Sequence, residues 1–148
     1  MDLNDLSYRI RGAIYKVHSA LGPGLFENVY EAAMIYELGE AGLSVQSQVV
    51  LPVFYNDVVL ELGFKVDLLI EETVIVEIKS VRELQDVDKK QLTNYLKLSK
   101  LELGLLVNFN VASLVDKVSL IRVINSKNLW VVTKGDHGLW IKKTAEIF

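Results

Sequence analysis

Two short segments constrain this chain more than any other feature: Phe64-Lys65-Val66-Asp67-Leu68-Leu69-Ile70 and Val74-Ile75-Val76-Glu77-Ile78-Lys79, separated by Glu71-Glu72-Thr73. Side chains alternate faces along a strand, so the first segment sets Phe64, Val66, Leu68 and Ile70 on one side and Lys65, Asp67 and Leu69 on the other. The second sets Val74, Val76 and Ile78 on one side and Ile75, Glu77 and Lys79 on the other. Pairing the two through residues 71–73 places Ile70 against Val74, Leu68 against Val76 and Val66 against Ile78. One face is then uniformly aliphatic, and a one-residue slip would drive charge into it, which specifies the register. The same register sets Asp67 directly across from Glu77, with Lys79 next along on that face. Carboxylates placed opposite one another repel, and a divalent cation between them removes the repulsion. Oxygen donors in a chain without cysteine suit Mg²⁺ or Mn²⁺, and a neighbouring lysine suits phosphate-oxygen chemistry. A solvent-facing sheet surface with incidental charges is the alternative reading of the same pattern.

The segments around this hairpin define the rest of the architecture. Leu6, Ile10, Ala13, Ile14, Val17 and Leu21 recur at three- and four-residue spacing, which predicts an amphipathic helix over about 3–21. Gly22-Pro23-Gly24 stops it. A second helix is expected from about Leu25 to Ala41, with Gly42 as its cap. Glu27, Tyr30, Glu31 and Met34 share one stripe of it, leaving Val29, Ala32, Ala33 and Tyr36 to face the core. Glu27 also sits in the first turn, where negative charge favours the helix dipole. Period-two patterning then gives a meander: SVQSQVVLPVFY, a turn at Asn56-Asp57, VVLELG, FKVDLLI and VIVEIKS as successive strands. A third helix over about 87–99 puts Gln91 and Tyr95 on one face. LGLLVNF and KVSLIRVI follow as two more strands. This order predicts an α/β, or mixed α+β, arrangement with helices packed on one central sheet. From Asn128 onward, LWVVT and LWIKK read as an extra hairpin or arm.

At 148 residues the chain suits one domain, with a core over about 5–125 and a C-terminal extension at 126–148. The absence of cysteine excludes disulfide frameworks, thiolate metal sites and cysteine nucleophiles. No apolar run approaches the roughly 20 residues that span a bilayer, and the N-terminus is acidic where a secretory signal would be basic. A cytoplasmic protein without membrane attachment is the expectation. A mean hydropathy of +0.27 implies a large core or a self-association surface, which motivates a homodimer. The net charge of −3 divides into −5 over 1–62, 0 over 63–100 and +2 over 101–148. Any phosphate-facing surface is therefore local, around Lys79, Arg82, Lys89, Lys90, Lys97 and Lys100. No GxxxxGK[ST] is present, so a P-loop is excluded. His18 and His137 are isolated in sequence and read as surface or packing residues rather than zinc ligands.

Glu27 on an early helix, Asp67 on a strand, Glu77-Ile78-Lys79 on the next strand and Gln91-Leu92-Thr93-Asn94-Tyr95 on the following helix together resemble the PD-(D/E)XK nuclease superfamily. Gly24-Leu25-Phe26-Glu27-Asn28-Val29-Tyr30 matches GxxExxY and is similar to the family of that name within it. The superfamily's leading proline is replaced by Val66. The resemblance implies a restriction-endonuclease-like core, a central mixed sheet flanked by helices, and metal-dependent phosphodiester hydrolysis. It implies Asp67 and Glu77 as Mg²⁺ or Mn²⁺ ligands, the backbone carbonyl of Ile78 as a third, and Glu27 completing the shell directly or through water. Lys79 would orient or help deprotonate the attacking water, and Gln91, Tyr95 and Tyr30 would contact substrate. The implied partner is nucleic acid, DNA before RNA. A binding module on the same fold that does not cleave, holding nucleic acid or protein, is the competing expectation.

Overall fold

The computed structural model describes residues 1–125, 133–134 and 140–141. Helix α1 (Leu3–Leu21) begins where the Asp2 carboxylate accepts from the Asp5 amide at 2.8 Å, satisfying one of the free donors of the first turn. Its expected stripe, Leu6, Ile10, Ala13, Ile14 and Val17, is buried, while Leu21 is exposed. Gly22 ends the helix at φ 67, a conformation that glycine adopts without steric cost, and its amide donates to the His18 carbonyl. Helix α2 (Glu27–Glu40) follows. Its buried residues are Tyr30, Met34 and Leu38, whereas Val29 and Tyr36 are exposed. The core face expected for this helix is therefore corrected: Tyr30 and Met34 point inward, and Val29, Ala32 and Tyr36 point outward. Apolar residues run nearly all the way around α2, so periodicity alone could not select the inner face.

Strand β1 (Val45–Tyr55) turns at Asn56-Asp57, both at positive φ as a two-residue hairpin turn requires, into β2 (Val58–Ile70). VVLELG and FKVDLLI, expected as two strands, form this single strand. An irregularity opposite the Pro52/Val53 step takes up the extra residues near Gly63. Strand β3 (Val74–Lys79) leads into α3 (Asp86–Ser99), then β4 (Leu103–Asn108) and β5 (Leu120–Ile124). The order is β1-β2-β3-β4-β5, with β3 and β4 parallel across the α3 crossover and the other neighbours antiparallel. It is a mixed sheet with helices on both sides. Two short strands, β6 (Thr133–Lys134) and β7 (Trp140–Ile141), pair antiparallel within the C-terminal extension. The other residues of the expected LWVVT and LWIKK arm, and His137, lie outside the described residues. Among the described residues no helix is long and apolar enough to cross a membrane.

Two apolar layers result. α1 and α2 pack over Leu68, Ile70, Val74, Val76 and Ile78, and α3 packs through Leu92 and Leu96 over Leu69, Ile75, Leu106 and Ile121. The sequence pattern assigns Phe64 and Val66 to the first layer, with Leu68. They join the second instead, as do Val49 and Leu51 of β1. The hairpin thus changes layers at the level of Asp67, where Gln48 on β1 takes φ 51. Alternation fixes which residues share a strand face, but a twisted hairpin can carry one face from the first layer to the second.

Candidate functional site

The β2–β3 ladder pairs Ile70 with Val74, Leu69 with Ile75 and Leu68 with Val76, the register expected from the aliphatic pattern. One residue further, side chains take over the ladder's work. Asp67 Oδ2 accepts from the Ile78 amide at 2.8 Å, and Glu77 Oε1 accepts from the Asp67 amide at 3.2 Å. Beyond this point β2 continues beside β1, and β3 runs on beside β4 as far as Lys79 opposite Asn108. Asp67 and Glu77 therefore meet where the two strands part, each fixed by an amide of the other strand.

This pair is held under electrostatic strain. Glu77 is only 7% exposed, and burial, with the adjacent Asp67 charge second, pushes its carboxyl up to about 8. Lys79 is partly exposed, and among the described residues no ion pair within 4 Å joins it to either carboxylate. Tyr95 of α3 stands close enough that burial first, then the Glu77 and Asp67 charges, raise its phenol above the usual value. Its ring stacks on Phe64 with centroids 4.3 Å apart. Gln91, one turn earlier on α3, is exposed and makes no hydrogen bond to this group.

Helix α2 is linked to the pair through Gln48 of β1. Gln48 Nε2 donates to Glu31 Oε2 at 2.9 Å and reaches Asp67 Oδ1 at 3.4 Å. Burial raises the Glu31 carboxyl, with the Asp67 and Glu27 charges adding to the effect. Glu31 and Gln48 are thus part of the site and were not among the residues expected there. Glu31 sits one turn after Glu27 on a shared stripe, which was a usable signal; the backbone turn that aims Gln48 left none. Glu27 accepts from the Ser80 amide at 3.4 Å. Among the described residues no three His, Cys, Asp or Glu side chains converge to hold a metal ion, so Glu27 does not close a three-carboxylate cluster with Asp67 and Glu77.

Tyr30, expected among the substrate contacts, is fully buried. Its ring stacks on Phe109 at 4.5 Å, and its hydroxyl donates to the Gly22 carbonyl at 2.6 Å and accepts from the Leu25 amide at 3.2 Å. It ties down the turn that delivers Glu27. A second clamp holds the chain after Lys79. The buried Asn108 side chain accepts from the Val81 amide at 3.1 Å and donates to the Val81 carbonyl at 2.9 Å, while the Phe109 amide donates to the Lys79 carbonyl at 2.9 Å. Ser80 Oγ donates to the Leu25 carbonyl at 2.6 Å, joining the two clamps. His18 is 9% exposed, bonded through Nε2 to the Val111 carbonyl at 2.7 Å and packed near Phe109, as a packing histidine should be. Lys100, counted among the local basic residues, lies over the Phe54 ring and 3.9 Å from Asp57 at the β1–β2 turn.

No curated protein and no solved structure matches the chain. Residues 4–123 match the model of the PD-(D/E)XK nuclease superfamily, a span that takes in α1 through most of β5 and every residue of the site. A mixed sheet between helical layers, with a parallel β3–α3–β4 crossover, is consistent with the restriction-endonuclease-like core of that superfamily. With a match over most of its length and this architecture, the chain belongs to the PD-(D/E)XK nuclease superfamily.

Proposed function

We propose that this protein is a metal-dependent nuclease of the GxxExxY family that hydrolyses phosphodiester bonds in nucleic acid. The observation that supports it is the Asp67–Glu77 pair, held by amides of opposite strands at the point where β2 and β3 diverge, with the Lys79 charge acting on Glu77. The donor set fits Mg²⁺ or Mn²⁺. Two carboxylates are pressed together with no ion pair within 4 Å to either among the described residues, all donors are hard oxygens, and Mg²⁺ is commonly held by one or two carboxylates while keeping several waters. Asp67, Glu77 and the Ile78 carbonyl would hold the ion, with Glu27 and Glu31 reaching it through water. Such an ion offsets charge on the phosphoryl oxygens and makes water a stronger nucleophile near neutral pH.

The chain's own groups do the rest. Lys79 orients or deprotonates the attacking water and offsets the charge that develops on the pentavalent phosphorus. Water oxygen bonds to phosphorus, the ester P–O bond breaks, and the leaving oxygen takes up a proton. Tyr95 and Gln91 border the phosphate from α3. Asn108, through Val81, keeps the segment after Lys79 in place.

Calorimetric titration of Mn²⁺ into wild type, Asp67→Ala and Glu77→Ala tests this reading, with cleavage of single- and double-stranded DNA and RNA assayed alongside and Lys79→Ala included. The expected result is binding that needs both carboxylates and cleavage lost in all three variants. A wild type that binds no metal and cuts none of these polymers overturns it. A binding module that does not cleave is the second reading, favoured by the acidic net charge and by the exposed apolar side of α2, where a homodimer would also form. Binding of nucleic acid or protein by a wild type that cleaves none of these polymers would support it.

A further inference from the structure

At 84%, Phe26 is the most exposed large apolar side chain among the described residues, and it sits covalently next to Glu27. It is the residue from which α2 starts, and it contributes no side-chain cap. The backbone that carries it is fixed from several sides. Leu25 is bonded at its amide by Tyr30 and at its carbonyl by Ser80 Oγ, and the Phe26 carbonyl accepts from the Val29 amide at 3.1 Å. Ser80 directly follows Lys79, and its amide meets Glu27. The ring is therefore displayed in water on an ordered turn whose flanking residues, Leu25 and Glu27, both bond Ser80 just past the end of β3.

Resting on the nuclease reading, we infer that Phe26 is a base-stacking residue of this site and that the substrate presents an unpaired base beside the scissile phosphate, as a single strand does. A flat apolar ring held in place matches the face of a base, and stacking on it accepts any base. In a duplex each base face is covered by its neighbours, so only a single strand, a frayed end or an extruded base offers that face. Lys79 and the exposed Arg82 lie on the segment around Ser80 that bonds this turn and supply the positive charge a phosphate chain needs. Continuity with the carboxylate site favours a nucleotide as the occupant over a second copy of the chain, although Val29 and Tyr36 share the exposed side of α2.

The test uses the full chain with a fluorescently labelled short single strand, the same strand carrying an abasic site, and its duplex. Wild type should bind the intact single strand most tightly. Phe26→Ala, which removes an exposed side chain, should melt as wild type does but bind the single strand roughly 5- to 100-fold more weakly. It should also lose the discrimination against the abasic strand. Phe26→Trp should retain binding, and its added indole should be quenched by the single strand beyond any change in the native Trp130 and Trp140. Asp67→Ala separates the two readings, because it should abolish cleavage while leaving the Phe26-dependent affinity in place. Cleavage retained with Phe26→Ala binding as wild type overturns the stacking role alone. Absence of cleavage in wild type with Phe26-dependent binding intact overturns the nuclease reading alone. Preference for duplex, or conversion of a dimer to a monomer by Phe26→Ala with affinity unchanged, overturns the inference.

Discussion

Replacing Glu77 with glutamine should make the metal-free protein less sensitive to alkaline pH. Burial and the facing Asp67 raise the Glu77 carboxyl from an ordinary 4.5 to about 8, so the folded protein holds this proton more tightly than the unfolded chain. The stabilising contribution is complete below pH 4.5 and is lost as the pH rises through 8. Between those limits one extra proton is bound in the native state, a slope of about 1.4 kcal/mol per pH unit, which amounts to roughly 3 kcal/mol by neutral pH. Glutamine presents a carbonyl oxygen to the Asp67 amide in the place of Oε1 and does not titrate. Urea denaturation of wild type and Glu77→Gln across this window, with a chelator present, isolates the effect, because every other titrating group is common to both proteins. Wild type should fall steeply relative to the variant, and added Mn²⁺ should flatten the wild-type profile by offsetting the two carboxylates. Parallel profiles for the two proteins would refute the claim that Glu77 is the buried, proton-holding partner of Asp67.

Other parts of the framework carry their own expectations. A Cβ at Gly104 would lie 2.7 Å from Leu92 Cδ1 and 3.0 Å from Cγ, and Leu92 is fully buried between α3 and β4. Gly104→Ala should therefore cost about 1–3 kcal/mol in denaturant unfolding, and wild-type stability would contradict that packing. Tyr30→Phe leaves the Gly22 carbonyl and the Leu25 amide without their partner, at a cost of about 1–3 kcal/mol. Faster hydrogen exchange at Leu25 should accompany it, and unchanged exchange would show that the hydroxyl does not hold the turn. Asn108→Ala removes the bonds to Val81 and to the Asn110 amide, and should lower stability by about 2 kcal/mol. On the proposed nuclease reading, its cleavage defect should appear in kcat more than in KM, since the change loosens the segment behind Lys79 without touching substrate.

Local pattern carried much of the fold. Three-residue and four-residue spacing marked α1, and the aliphatic alternation on either side of Glu71-Glu72-Thr73 set Leu68 against Val76 and Ile70 against Val74. That register brings Asp67 and Glu77 to the step just past the end of the ladder, although the expected Val66–Ile78 pair beyond them does not form, because Val66 has crossed to the other layer. The central pair of the site was thus legible without any tertiary information. Helical spacing put Tyr95 on one face with Gln91, and the family resemblance singled it out; burial and then the charges of Glu77 and Asp67 raise its phenol.

Three features required the folded molecule. Val29, Ala32, Ala33, Ile35 and Tyr36 make α2 apolar nearly all around, so only packing against Phe109 and the sheet selected Tyr30 as a buried anchor. Gly63 reads as a break between strands, yet an irregularity opposite Pro52/Val53 lets β2 run through it. Gln48, at positive φ, reaches both Glu31 and Asp67 and so brings an unanticipated carboxylate into the site. The division has a physical basis. Hydrophobic periodicity and strand register are short-range properties written residue by residue, whereas the choice of buried helix face, the layer onto which a twisted hairpin folds and the approach of α2 to Asp67 depend on the shape of everything packed around them.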